Sequence, residues 1–356
     1  MILADNIHTK SNSLGFLRSL LASIVVVHHA FRLRSNEPYF WEDFFPLSFG
    51  TLGVYGFFVI SGYLITASFE HSSSTVNFVW RRLLRIFPAF WICLLLTIFL
   101  FAPLTHYFTY GSLENYFTGF ASPPLSYFYK NIFLSINQID INNIMQKNVG
   151  AGNMLGAVFN GSLWTLIHEF RLYIITALIG IVAFYKTKKY YVFYIIYFLY
   201  VVVHYADPVE GRLFFKLYTD KATIILPIYF FAGSTLYLLR NKIKINYILL
   251  SLAILITIIA HYTGLFYYIF PFSLTYILIW LAVKLPFKDW ERKYGDYSYG
   301  IYIYHFVIQQ SLLVAGFTYL NTISFFLLSF CIALFFAYLS WKLIEKPSLK
   351  LKNKFS

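Results

Sequence analysis

Charge is scarce in this chain. Only 12% of its 356 residues are Asp, Glu, Lys or Arg, against about 25% in a soluble domain. That excludes an ordinary soluble enzyme, and a hydrophobic content of 59% excludes a disordered chain. Cysteine is nearly missing. Cys93 and Cys331 both lie inside apolar runs, so neither a disulfide framework nor a cysteine metal site is implied. Residues 1–13 are polar and lack a short apolar core followed by a small-residue cleavage site. The first apolar run is therefore expected to stay as a span and not to be removed as a signal peptide. Internal repeats and low-complexity tracts are missing too.

Apolar and aromatic residues dominate instead. Phe, Trp and Tyr make up 22% of the chain, and the mean hydropathy is +0.64. A membrane span needs roughly 20 mostly apolar residues. Ten candidate spans lie near 14–33, 48–68, 83–104, 162–184, 190–205, 222–240, 245–262, 265–284, 297–318 and 323–343. The expected fold is all-α, a polytopic membrane helix bundle of about ten transmembrane helices forming one domain over residues 1–356. The long stretch 105–161 is rich in Asn, Ser, Gly and aromatics. It is expected to be a cap on the outer side.

Loop charge sets the orientation. With the N-terminus inside, twenty of the 28 basic residues fall in cytosolic segments, seven fall outside, and Arg171 falls within a span. Both termini are therefore expected in the cytosol. The basic excess is an orientation signal, so the lipid bilayer is an expected partner and nucleic acid is not.

Ionisable groups inside spans are few, and each is costly, roughly 2.5–3.5 kcal/mol for a charge at a helix centre on insertion scales. Arg18 and His29 stand eleven residues apart in the first span, on one helix face and about 16 Å apart along the axis. The fourth span carries His168, Glu169 and Arg171, and the ninth carries His305 on a stripe with Tyr302 and Gln309. On one depth scale, Arg18, Arg81, Arg82 and Arg85 fall at the inner boundary, and His29, Glu169 and His305 fall deeper. Guanidinium suits phosphate, and imidazole beside a carboxylate suits general-base work on a hydroxyl. The bland readings are interfacial anchoring for the arginines and packing for His28. The histidines have no recognisable metal-ligand spacing, so no metal is expected. Ser61, in a second span rich in glycine, has no base at a fixed spacing and reads as a packing residue.

Several motifs of this chain resemble those of acyltransferase family 3, in family order. They are LRSLLASIVVVHH, FFVISGYLI, RRLLRIFP, GSLWTLIHEFRLY, SYGIYIYHF and the closing Glu345-x-Pro347. The resemblance covers nearly the whole chain. It implies a membrane O-acyltransferase that moves an acyl group, most often acetyl, from acyl-CoA to a hydroxyl of a cell-surface glycan or its lipid-linked precursor in the bacterial cytoplasmic membrane. It makes His29 the matching histidine, which Glu169 or another acid is expected to orient, and assigns Arg18, Arg81, Arg82 and Arg85 to the acyl-CoA end. Trp164, Tyr173, Tyr302 and His305 are further site candidates from the matching motifs. Many members carry an acid near Tyr55, which this chain lacks. Direct transfer and a covalent acyl-His intermediate both remain open. So do two rivals, a lipid-linked glycan flippase or exporter and a non-catalytic member of a glycan assembly complex.

The orientation has a direct check. A reporter fused behind Lys352 is expected to be cytosolic, and Ser135→Cys to react with an impermeant thiol reagent added outside. The reverse pattern would end the ten-span reading.

Overall fold

The computed structural model describes residues 2–6, 12–34, 45–119, 122–148, 154–182 and 222–353. Helix is the regular structure throughout these residues, apart from one bridge between Ile2 and Lys244. The main helices are α1 (Leu14–Arg34), α2 (Phe49–Glu70), α3 (Thr75–Leu96), α4 (Ala102–Tyr110), α5 (Pro124–Asn131), α6 (Thr165–Val182), α7 (Ala222–Leu238), α8 (Tyr247–Tyr262), α9 (Phe266–Lys284), α10 (Ser298–Val314) and α11 (Thr322–Ser340). Five continuous helical stretches among the described residues are long and apolar enough to cross a membrane: Leu14–Arg34, Phe49–Glu70, Thr75–Tyr110, Phe266–Lys284 and Thr322–Lys350. Ile225–Leu238 and Tyr247–Tyr262 are shorter apolar helices. The chain is thus an integral membrane protein. The expected fifth span at 190–205 lies outside the described residues.

Helix starts follow capping chemistry. Ser48, Ser74, Asn246 and Asn321 each accept a hydrogen bond from the backbone N–H three residues on. The Ser74 cap corrects one expectation. The third span was read from residue 83, but the helix begins at Thr75 because Ser74 Oγ accepts from Asn77 N. It then runs on through a π-helical turn, Thr97–Phe101, into α4. RRLLR therefore lies within the helix and not at its mouth. A second π-helical turn, Trp341–Glu345, follows α11 and buries Glu345. Such turns insert extra residues and re-aim side chains.

The segment after α4 folds back onto the bundle. Tyr116 Oη donates to Ile98 O at 2.6 Å, and Trp91 Nε1 on α3 donates to Ile132 O at 3.0 Å. Gln310 on α10 donates to Val158 O at 2.8 Å. Asp140 organises the next turn by accepting from the N–H groups of Ile141, Met145 and Gln146.

The closest helix pair is α2 with α7, where backbones touch through glycine. A Cβ at Gly62 would sit 1.8 Å from Phe230 O, and one at Gly233 would sit 2.0 Å from Val59 O. Small residues permit this approach. Gly62→Ala and Gly233→Ala must force the helices apart. Each is expected to cost about 1–3 kcal/mol, read as a lower unfolding midpoint in detergent. Gly264→Ala meets no neighbour but strains a left-handed φ of +76°, so it shows the cost of backbone strain without a helix clash.

Candidate active site

Two cavities line up along one face of α2. Its Phe57, Phe58, Ser61, Leu64 and Ile65 line the first, and its Gly50, Thr51 and Tyr55 line the second. These positions recur at three and four residues, as one helical stripe requires. The stripe from Thr51 to Ile65 is about 21 Å long at 1.5 Å per residue.

The first cavity is cationic. Arg18 comes from α1, and Arg82 and Arg85 come from α3, three residues apart and so on one face. Arg81 does not line it. Its Nε donates to Asn77 Oδ1 at 2.9 Å on the same helix. The guanidiniums are held by acids, of which sequence reasoning had noted only Glu345, in the closing motif. Asp296 Oδ2 accepts from Arg18 at 2.9 Å and also from Arg85, and Ser298 Oγ donates to Oδ1 at 2.6 Å. Glu291 pairs with Arg18, and Glu345 lies 3.4 Å from Arg85. Burial alone would raise the Asp296 carboxyl, but the Arg18 and Arg85 charges outweigh it and hold it below the usual carboxylate range. The available signal was an acid placed just ahead of SYGIYIYH, in a chain with only 15 acids.

Arg82 differs. Its Nη2 lies 3.3 Å from Ser68 Oγ, and its guanidinium packs near the rings of Phe78 and Tyr173. Among the described residues it has no carboxylate partner, and its buried Nε has no acceptor. Its opposite charge is the Glu169 carboxylate of the same cavity, which does not bond to it directly, so this half-buried guanidinium keeps donors for an anion. Glu169 shares this cavity. Tyr173 Oη donates to Glu169 Oε1, and Ser61 Oγ lies 3.1 Å from the same oxygen.

The second cavity holds the imidazoles. His28, His29, Tyr55, Trp164 and Tyr302 line it. Gly50 leaves room for the His28 ring, whose Cδ2 is 2.3 Å from where a Cβ would stand. Tyr55 stacks on Tyr229 with ring centroids 3.9 Å apart. Trp164 is brought alongside by a polar knot. Asn160 Nδ2 donates to Ile303 O at 2.7 Å, and Ser162 Oγ donates to Tyr302 O at 3.0 Å. These bonds fasten the turn before α6 onto α10.

Glu169 is expected from sequence to stand beside His29, and here the geometry differs. Glu169 lies one turn along α6 from Thr165 and bonds to Tyr173 and Ser61, on the arginine side. His29 Nδ1 instead meets His305 Nε2 at 2.8 Å, with the rings stacked 5.1 Å apart. His305 Nδ1 lies 3.1 Å from Ile301 O. A carbonyl only accepts, so His305 carries its proton on Nδ1. In a neutral ring Nε2 then accepts, and His29 Nδ1 must donate. The free lone pair of His29 is thereby fixed on Nε2. No group of three or more His, Cys, Asp or Glu among the described residues could hold a metal ion.

A family profile described as an acyltransferase domain matches residues 11–342. The chain belongs to the acyltransferase 3 family. It is 31% identical to a protein of Shigella phage Sf6 named O-acetyl transferase, over 96% of each chain. A second relative, nodulation protein 10 of Rhizobium leguminosarum bv. viciae, is 40% identical over 82 residues, 23% of this chain and 22% of its own. No solved structure matches the chain. Membership makes the protein a membrane acyltransferase, and the transporter and non-catalytic readings give way to an enzyme.

In this acyltransferase 3 protein Asp296 neutralises two buried cations at once. Asp296→Asn takes one carboxylate from each while Glu291 and Glu345 stay beside them, so the expected cost is about 1–3 kcal/mol, below that of breaking an isolated buried pair. The expected result is a fall in folded yield and in unfolding midpoint in detergent. Arg292→Gln, which removes an exposed pair with Asp289, is expected to change neither beyond about 0.5 kcal/mol.

Proposed function

We propose that this acyltransferase moves an acetyl group from cytosolic acetyl-CoA to a hydroxyl of a cell-surface glycan or its lipid-linked precursor, in the bacterial cytoplasmic membrane. The phage relative's name, O-acetyl transferase, supports the acyl group and the oxygen acceptor. The loop-charge bias supports a cytosolic arginine end. CoA carries phosphates, and Arg82, with the Nε groups of Arg18 and Arg82 lacking acceptors, offers charge-assisted donors for them.

One observation carries the chemistry: the chain from His29 Nδ1 through His305 to Ile301 O. It orients the ring and reserves Nε2 as the base, as the third member of a nucleophile–base–orienter set does. His29 Nε2 takes the acceptor hydroxyl's proton while the hydroxyl oxygen attacks the thioester carbonyl carbon. The C–O bond forms, the C–S bond breaks, and the departing CoA sulfur takes the proton from Nε2. In this reading His305 is a positioning residue. Glu169, Tyr173 and Ser61 belong to the donor cavity, where the carboxylate orders the two hydroxyls beside Arg82. Trp164 and Tyr302 border the histidine cavity where the acceptor arrives.

Labelled acetyl-CoA supplied to membranes tests the reading. His29→Ala is expected to abolish O-acetylation of the glycan, and His305→Ala to lower it by about 10²–10⁴-fold through lost orientation of the base. His305→Asn, which can still accept from Nδ1, is expected to recover part of that loss. Wild-type acetylation in His29→Ala overturns the base assignment.

A further inference from the structure

The donor cavity and the histidine cavity adjoin, sharing two lining residues among those described. Val54 and Tyr302 are the two residues that line both cavities. Tyr302 is fixed from two sides. Its hydroxyl lies 2.6 Å from Thr165 Oγ1, and its ring meets Phe57 edge-on with centroids 5.9 Å apart. Both Tyr302 and Thr165 are buried, so a swing of the ring would leave two hydroxyls short of a partner in an apolar wall. Val54, on α2, is half-buried and makes no polar contact that would hold it. The Tyr302 ring is 6.1 Å from that of His305, itself bonded to His29.

If CoA is held by the arginines and its thioester reacts at His29, the acyl group must lead past these two residues and the pantetheine arm must follow. The doubly methylated pantoate carbon lies near the phosphates and stays on the arginine side; the part that follows the acyl group, β-alanine and cysteamine, is an unbranched chain. A bore that admits it admits any unbranched acyl group ahead of it. A methyl branch on the carbon next to the carbonyl is different, because it widens the leading end where the wall cannot yield. We propose that the two cavities open into each other between Val54 and Tyr302, and that this neck selects the acyl group by cross-section, passing acetyl and short straight chains and refusing α-branched ones. This inference rests on the donor reading given above. It adds a specificity determinant remote from both the phosphate donors and the base.

Butyryl-CoA and isobutyryl-CoA test it, because their acyl groups have the same atoms and differ only in width. Membranes of the producing strain containing the full chain are supplied with labelled acetyl-, butyryl- or isobutyryl-CoA, and label in the glycan is read by mass. Wild type is expected to use butyryl over isobutyryl by tenfold or more. Val54→Ala is expected to reduce that preference about tenfold, the usual worth of one or two methyl groups in a fitted wall. Val54→Phe narrows the bore and is expected to lose transfer of every acyl group while membranes still retain labelled CoA at the arginine end. An unchanged butyryl-to-isobutyryl ratio in Val54→Ala, or full transfer by Val54→Phe, overturns the neck and leaves the donor reading standing. Wild-type membranes that transfer label from none of the three thioesters overturn the donor reading, and the neck falls with it.

Discussion

The arrangement depends on one buried carboxylate. Asp296 ties Arg18 of α1 to Arg85 of α3 at the foot of α10, so three helices share one electrostatic anchor. From that anchor α1 and α10 run in the same direction. Eleven residues along α1 from Arg18 comes His29, about 16 Å up, and nine residues from Asp296 comes His305, about 13 Å up. The difference is within the reach of an arginine side chain. An ion pair at one end therefore sets the register that brings two imidazoles to 2.8 Å at the other.

That separation sorts the chemistry by charge. Guanidiniums and carboxylates stay at one end, where the motif Glu345 is turned inward by a π-helical turn to face Arg85. Among the described residues, no carboxylate lines the cavity at the histidine end. The carbonyl of Ile301 and a second imidazole do the orienting that a carboxylate performs in many hydrolases. Close backbone contact of α2 with α7 at Gly62 and Gly233 then holds the α2 stripe that floors both cavities.

Much of the site was legible in the chain. Scarce ionisable groups in apolar runs can be read directly, because lipid makes each one expensive and hence informative. His29, His305, Arg18, Arg82 and Arg85 were all found this way, and helical spacing put Arg18 and His29 on one face. Spacing works only within a helix, however. It could not tell that Glu169 would bond to Ser61, 108 residues away in the chain, and not to His29. Nor could it separate Arg81 from its neighbours, since a rotation of about 100° per residue sends adjacent arginines to different surroundings. Asp296 escaped notice because it stands outside a span, where an acid looks like an ordinary loop residue.

By itself the sequence determined the class of molecule: a helical membrane protein, its orientation signal and the order of its acyltransferase 3 motifs. Composition and periodicity suffice for that, because the bilayer constrains every span alike. Tertiary structure alone decided which polar groups meet. It paired histidine with histidine, gave Arg18 and Arg85 their bonded acids, and among the described residues left Arg82 sharing a cavity with Glu169 without a direct ion pair. It also made Val54 and Tyr302 the shared wall of two cavities. Those outcomes depend on helix rotation and relative height, and contacts across the bundle fix both quantities while no local pattern encodes them.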